Sequence, residues 1–478
     1  MKKDINIIEQ IKRVPCAVIG LGVSNLPLID FLISRGAKEI VAYDKKSEAE
    51  LGDTAAELKK KGVRLVLGEG YLDNVCEKVI FRSPGIRPDA GSLARAAERA
   101  AVITSEMELF FELCPTRIYA ITGSDGKTTT TTLTHLFLSE QAKRRNARAF
   151  LGGNIGAPLL PSVELMNEND VSVLELSSFQ LMGSGCHPHA AAITNVTPNH
   201  LNWHPDMEEY VSAKASICGE RTKRIVLNAD NDITASLDFG EDREYIYFSS
   251  RKESYDTIVP EGRNGAKAAF IRDGMIIFSD GCSEDEILEL SDIKLPGVHN
   301  VENYMTAIAL TYGAVDRDIY SDVAKSFGGV EHRLELVATV GGVKYYNSSI
   351  DSSPTRTAAA LSALSERPIV LCGGSDKNVP FDLLAKVLCE RASAVILNGD
   401  SAKKIMDALC RCPDYASSGL SVYVKETLAE AIDVAINIAK EGDTVLLSPA
   451  CASFDQFKNF SERGIFFKNR ILQMLTNK

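Results

Sequence analysis

The sequence has no CxxC pair and no histidine cluster at zinc spacing, although it holds 11 cysteines and 7 histidines. Finger-type structural zinc is thereby excluded. The cysteines are scattered, at positions such as Cys16, Cys76, Cys186, Cys372 and Cys451, and Cys410 with Cys412 forms a lone CxC that reads as incidental. An odd count without framework spacing fits reduced cytoplasmic thiols rather than disulfides. Positive charge is scarce as well: 53 Lys and Arg against 64 Asp and Glu leave a formal net charge of −11 and a pI near 5.3. This argues against a broad basic face for nucleic acid, so an anionic ligand must meet locally focused cations. The apolar run near the N-terminus is interrupted by Gly20, Gly22, Asn25 and Asp30. It is read as neither a signal peptide nor a membrane span. There is no self-similar period of solenoid length, and no low-complexity tract longer than the threonines Thr128 to Thr132.

What is present is the composition of a soluble globular chain: 478 residues, 45% hydrophobic and 24% charged, with 34 glycines and 17 prolines. That length suits two to four domains. Apolar runs of strand length alternate with segments of helical period, as in "CAVIGLG", "EIVAYD", "RIYAITG", "VSVLELS", "AAITNV", "RPIVLCGG" and "DTVLLSP". The pattern is that of α/β units with parallel sheets. Two handovers, at residues 104–115 and 326–335, divide the chain into blocks 1–107, 108–330 and 331–478. Gly328-Gly329 in the second handover suits either a hinge or a plain turn. The polar, strand-rich stretch from Arg243 to Asp280 reads as hairpins on the flank of the middle block.

Two glycine-rich turns stand out. "VIGLGVSN" places Gly20-x-Gly22 between a strand and a helix, with Asn25 where a third glycine would complete a dinucleotide fingerprint and Asp44 ending the next strand. A tight turn and a nucleotide site fit it equally, and the nucleotide need not be NAD. "ITGSDGKTTTTT" is more specific, with Gly123, Gly126, Lys127 and Thr128 between a strand and a long helix. Two residues rather than four separate its glycines, so the Walker expression fails while its mechanics survive: backbone N–H groups, a lysine for terminal phosphates, a hydroxyl for Mg²⁺. The β-branched run also opposes a purely structural helix, because threonine is a poor helix former. Two further strand ends carry polar groups. "LELSSFQL" offers Glu175 for Mg²⁺, with Ser177 and Ser178 readable as a helix cap, and "ITNVTPNHLNWH" carries His200 and His204.

In their order along the chain, "GLGVSN", "SPGI", "ITGSDGKTT", "GGNIG", "LELSSFQ", "NVTPNH", "PGVHNVEN", "EHRLE", "GGSDKNVPF" and "LLSPACASFDQFKNFSERG" resemble the ATP-dependent Mur ligases of bacterial cell-wall synthesis. The last motif resembles the branch that adds D-glutamate, and no DNPR-type motif of the diamino-acid ligases is present. The resemblance implies three α/β domains: a Rossmann-like domain binding a UDP substrate, a central phosphate-loop ATPase domain with a parallel sheet, and a Rossmann-like C-terminal domain for the incoming amino acid. It implies a cytoplasmic monomer acting on UDP-N-acetylmuramoyl-L-alanine, D-glutamate and ATP, with Mg²⁺ or alternatively Mn²⁺, without nucleic acid or membrane. The terminal phosphate would pass to the muramoyl-L-alanine carboxylate, and the amine would attack the acyl phosphate. Positioning and charge neutralisation are then most of the protein's work.

By the same resemblance, Gly123, Ser124, Asp125, Gly126, Lys127, Thr128 and Thr129 hold ATP phosphates, and Asn300 and Asn303 face adenine. Arg333, beside His332, stabilises the transferring phosphoryl group. Thr128, Glu175, His200 and a carbamylated Lys214 form the metal set, with Lys127, Glu175, His200, Lys214 and Arg333 as the catalytic group. The UDP substrate falls to Gly20, Leu21, Gly22, Val23, Ser24, Asp44, Ser83, Pro84, Gly85, Asn154, Ser177 and His200. D-glutamate falls to Ser352, Lys377, Ser453 and Phe460, a cation and hydroxyls for a dicarboxylate.

Three positions depart from the pattern. Ser348 stands where an aspartate is expected for the ATP ribose, and a serine offers no charged bidentate partner. Asp351 is the candidate substitute; Ile350 replaces a lysine and Asn202 an aspartate. The alternatives are a related amide ligase such as a folylpolyglutamate synthase relative, a nucleotide-binding module without turnover, and an NAD dehydrogenase. The UDP-like first domain and "DQFKNF" oppose the first, only Ser348 favours the second, and no hydride-transfer site supports the third.

Overall fold

The computed structural model describes residues 6–200, 203–376 and 379–476. They form two compact units, one comprising Met1–Asp292 with Val301–Val323 and the other Ile293–Asn300 with Ala324–Lys478. Among the described residues, no helix is long and apolar enough to cross a membrane.

The first unit contains two sheets. Strands β1 (Cys16–Ile19), β2 (Ile40–Asp44), β3 (Arg64–Leu67), β4 (Val79–Arg82) and β5 (Val102–Thr104) pair in parallel in the order β3-β2-β1-β4-β5. β1, β2 and β4 are buried along their whole length, as continuous apolar strands covered on both faces must be. The chain leaves β1 toward β2 on one side and returns through β4 on the other. This topological switch opens a crevice at the strand C-termini, where Gly20 and Ser83 lie.

The second sheet has nine strands: β6 (Arg117–Thr122), β7 (Ala149–Gly153), β8 (Val171–Glu175), β9 (Ala190–Ile193), β10 (Arg224–Asn228), β11 (Glu244–Ser249), β12 (Lys267–Arg272), β13 (Met275–Ser279) and β14 (Glu284–Glu289). Their order is β14-β13-β12-β11-β10-β9-β6-β8-β7. β6 sits between β8 and β9, so the loops after these three strands open at one edge. The hairpin expectation for Arg243 to Asp280 needs one correction. β11 and β12 continue the parallel sheet, and only the β12–β13 and β13–β14 pairs are antiparallel. β11 is buried at five of its six positions, which alternation alone does not reveal.

In the second unit, β15 (Glu335–Val340), β16 (Val343–Asn347), β17 (Ile369–Gly373), β18 (Ala394–Asn398), β19 (Ser421–Val424) and β20 (Thr444–Leu447) are ordered β15-β16-β20-β17-β18-β19. All pairs are parallel except β15–β16. Because β20 lies between β16 and β17, the loops after Asn347, Leu447 and Gly373 share one end of the sheet.

Candidate active site

The phosphate loop runs from the end of β6 to the helix Lys127–Arg144, as its sequence predicts. Gly123 has φ 148°, and a Cβ there would lie 1.9 Å from Thr194 Oγ1. Gly126 has φ 76°, and its Cβ would lie 2.4 Å from Asn303 Oδ1. Both positions therefore require glycine. Ser124 Oγ meets Tyr210 Oη at 3.0 Å, and Asp125 N–H donates to Asn195 Oδ1 at 3.0 Å, so neighbouring strand ends set the loop's shape. Lys127 Nζ donates to Ser124 O at 2.8 Å. The threonine run divides in two. Thr128 is half-buried and Thr129 9% exposed, whereas Thr130, Thr131 and Thr134 are wholly buried. Thr134 Oγ1 bonds back to Thr130 O and Thr130 Oγ1 donates to Asn303 Oδ1, so much of the run is packing rather than chemistry.

Glu175 ends β8 at 2% exposure, and is not the solvated group that its capping alternative implies. One carboxylate oxygen accepts from Asn154 Nδ2 at 2.8 Å, while Oε2 is buried without a partner. A buried carboxylate oxygen left bare is costly unless a cation meets it, so the site fits a hard divalent metal with Glu175 as a ligand. Lys214, on the helix Met207–Ala215, is also 2% exposed. Its Nζ donates to Gly123 O at 2.6 Å and lies 4.5 Å from the Tyr210 ring centroid. Burial, reinforced by the charge of Lys127, pulls its pKa down to about 7 against the opposing pull of Asp125 and Glu175.

The two histidines separate. His200 is exposed, has φ 56°, and packs its ring edge-on against Phe179 at 5.0 Å. Burial against neighbours and the charges of Lys127, Lys214 and His204 lower its pKa. His204 is fully buried and bonded through both nitrogens, to Glu209 at 2.8 Å and Ser178 at 3.0 Å. It holds the loop rather than a ligand. Arg87, which the sequence does not single out, forks onto both oxygens of Glu209 at 3.0 and 2.9 Å, linking the segment after β4 to this loop. Ser177 serves as an N-cap, accepting from Gln180 N–H at 3.3 Å. Asn202 lies outside the described residues.

In the first sheet, Asp44 is 8% exposed and accepts from Leu21 N–H at 2.6 Å and from Lys46 N–H at 2.9 Å. Asn25 Nδ2 donates to Ile19 O and Gly20 O at 3.0 and 2.8 Å. The asparagine in the third-glycine place thus braces the turn, while Val23 stands 79% exposed at its tip beside Gly22 and Ser24. Ser83 N–H donates to Ile19 O at 2.8 Å, and Ile86 N–H closes the Ser83-Pro84-Gly85 turn at 3.0 Å. Both predicted UDP loops therefore meet at the switch point.

In the second unit, Arg333 is half-buried between His332 and Leu334, whose φ angles are 64° and 43°. Asn300 Nδ2 donates to Pro296 O at 2.7 Å. Ser348 is buried and accepts from Leu334 N–H at 3.2 Å. Asp351 folds back onto it: Asp351 N–H donates to Ser348 O at 3.0 Å, and the carboxylate accepts from Ser448 Oγ at 2.8 Å. Burial raises the Asp351 pKa to about 6, against the nearby serine hydroxyls and the charges of Arg333 and Arg356. Ser352 follows directly, Ser453 is buried, and Phe460 is 40% exposed at the start of the helix Phe460–Thr476. Lys377 lies outside the described residues.

A mostly parallel sheet ending in a short glycine loop, with a buried carboxylate oxygen that has no partner among the described residues, has the make-up of a nucleotide-binding site. Residues 121–311 match the Mur ligase middle domain and residues 332–451 the Mur ligase, glutamate ligase domain. The chain belongs to the Mur ligase family. It is 46% identical over 465 residues to the UDP-N-acetylmuramoylalanine–D-glutamate ligase of Acetivibrio thermocellus, covering 96% of both chains. It is 43% identical over 474 residues to the enzyme of that name from Clostridium perfringens, covering 98% of this chain and 99% of the relative. Among solved structures, UDP-N-acetylmuramate-alanine ligase from Thermotoga maritima superposes with a TM-score of 0.54 at 21% identity, over 97% of this chain and 100% of that one. That likeness establishes the shared fold.

Proposed function

We propose that this chain is an ATP-dependent ligase joining D-glutamate to UDP-N-acetylmuramoyl-L-alanine through an acyl phosphate, releasing ADP and phosphate in peptidoglycan precursor synthesis. The observation that carries the reading is the near full-length similarity to D-glutamate ligases, at 46% identity for the Acetivibrio thermocellus enzyme. Residues 1–107 serve the UDP substrate, 108–330 ATP, and 331–478 the amino acid. The enzyme acts as a cytoplasmic monomer.

The side chains take the tasks that the family pattern gives them. The N–H groups of the Gly123–Gly126 loop and the start of the following helix bind phosphate oxygens, and Lys127 meets the terminal phosphates. Thr128, Glu175 and His200 are the residues that would hold Mg²⁺ or Mn²⁺; the ion supplies charge neutralisation for phosphoryl transfer. Lys214, whose pKa burial pulls down to about 7, is a nucleophile for carbon dioxide in its neutral form. Its nitrogen forms the N–C bond and loses a proton, so a cation becomes a carboxylate. Asn154 and Ser177 orient the muramoyl group, and Gly20 to Ser24, Asp44 and Ser83 to Gly85 take the UDP. Asn300 and Asn303 serve adenine, Arg333 the transferring phosphoryl group, and Ser352, Lys377, Ser453 and Phe460 the D-glutamate. Asp351 supplies the carboxylate that Ser348 lacks for the ribose, since its backbone N–H already bonds to Ser348 O.

ADP release is measured with UDP-N-acetylmuramoyl-L-alanine and Mg-ATP, comparing D-glutamate, L-glutamate and no amino acid. Release that requires D-glutamate is the expected result. ATP binding without amino-acid-dependent release overturns the reading in favour of a non-catalytic relative.

A further inference from the structure

Arg463 is a buried guanidinium that the motif reading passes over. It is 3% exposed, on the first turn of the helix Phe460–Thr476, and among the described residues no carboxylate forms an ion pair with it. Its partners are instead backbone carbonyls and one hydroxyl. Nε donates to Ser349 Oγ at 3.0 Å, and Nη2 to Ser349 O at 2.9 Å. Nη1 donates to Cys451 O and Ala452 O, both at 3.1 Å. Ser349 Oγ passes the contact on, donating to Phe460 O at 2.7 Å.

These acceptors lie on separate segments at one end of the third sheet. Ser349 is in the loop after β16, three residues before Ser352. Cys451 and Ala452 are in the loop after β20 and lead directly into Ser453. The loop after β17 joins the same cluster, because Ser375 N–H donates to Ala452 O at 2.9 Å. A Cβ on Gly374 would come 3.2 Å from Arg463 Nη1 and 2.2 Å from Ala452 O, so that loop passes directly over the guanidinium.

We propose that Arg463 is the positioning residue of the amino-acid site: its fork fixes the loops bearing Ser352 and Ser453 and the helix start at Phe460, and its unpaired charge favours a dicarboxylate there. The planar five-donor group suits the task because its donors point in fixed directions, so carbonyls from different loops are held at set angles to one another. The nearest carboxylates, Asp455 and Asp351, act on it only through space. All five N–H groups are taken by Ser349, Cys451 and Ala452, so a substrate anion would meet the buried charge only through space.

This inference rests on the ligase reading and deepens it. The test is steady-state ADP release by Arg463→Met, Arg463→Lys and Ser349→Ala, with separate KM values for D-glutamate, ATP and the UDP substrate, alongside thermal unfolding. Arg463→Met is expected to raise KM for D-glutamate by about 10-fold or more, since small displacements of positioning groups have large effects, with the other two KM values within about 2-fold. Arg463→Lys keeps the charge but loses the fork, and is expected to recover part of that loss; Ser349→Ala raises the same KM by about 3-fold. An unchanged D-glutamate KM in Arg463→Met, or an equal rise in all three KM values in the folded Arg463→Lys and Ser349→Ala proteins, overturns the proposal. If the unsubstituted chain releases ADP with a different amino acid, it is the D-glutamate reading that fails, and the same KM split is scored on that amino acid.

Discussion

Lys214 and Arg463 are both buried basic side chains that form no ion pair among the described residues, one beside the phosphate loop and one at the end of the third sheet. Burial answers them differently. Lys214 donates to Gly123 O at 2.6 Å, and its pKa falls to about 7. Arg463 has the carbonyls of Ser349, Cys451 and Ala452 and the Ser349 hydroxyl, and it stays charged although burial lowers its pKa to about 10. An ammonium that surrenders its proton becomes a nucleophile; a guanidinium that keeps it becomes a brace. The same physical cost thus yields reactivity in one region and rigidity in the other.

The comparison breaks most visibly at Lys214. Lys214→Arg installs a cation that cannot deprotonate near neutrality, and ADP release is expected to fall by about 100- to 1,000-fold, the scale of losing one preorganised electrostatic group. For the unsubstituted chain, the carbon dioxide uptake proposed for Lys214 would need the neutral amine. Activity assayed with limiting bicarbonate should therefore climb as pH rises through about 7, and a flat profile would count against the assignment. Glu175→Gln comes next: it removes the charge from the bare oxygen and should raise the Mg²⁺ concentration for half-maximal activity by at least about 10-fold. The Arg463 series follows, with its effect confined to one KM.

Two smaller effects sharpen the contrast using carboxylates. Asp351→Asn should raise KM for ATP about 3-fold, the scale of one hydrogen bond to a charged group weakened; the unsubstituted chain should show the same rise as pH falls below about 6, where Asp351 takes up a proton. Glu106 is buried with Oε1 unpartnered, and burial raises its pKa from 4.5 to about 7, partly offset by a bond from the Leu160 backbone. Because the folded value is the higher one, the folded chain holds the extra proton between those limits. Stability from this group is full below pH 4.5 and is lost as pH rises through 7. Glu106→Gln should accordingly raise the stability at pH 8 by on the order of 3 kcal/mol at most, read as a higher melting temperature, and leave it little changed at pH 4.

Much of the site is legible in the sequence because its parts are local. A strand, a glycine turn and a helix start are contiguous, so the loops at Gly20 and Gly123 and the strand-end Glu175 can be placed without knowing the fold. Groups that act across the chain are not legible this way. Arg87 and Glu209 are 122 residues apart, and Arg463 and Ser349 114. Arg87 has no local signature that separates it from a surface arginine, and the motif that contains Arg463 does not say what it holds. The threonine run misleads for a related reason: side-chain bonding back along the helix and burial against Asn303 make Thr130 and Thr134 good packing residues despite their low helix propensity.

The sequence by itself determined the α/β alternation, the family resemblance and the identity of the phosphate loop, because periodicity and turn chemistry are properties of neighbouring residues. Only the tertiary structure decided which of two nearby histidines is spent on packing, that β11 joins the parallel sheet, that Asp351 returns to Ser348, and that one guanidinium gathers loops from across a sheet. Those outcomes depend on which strands lie side by side, since burial, charge and hydrogen-bond supply at a residue are set by its neighbours in space.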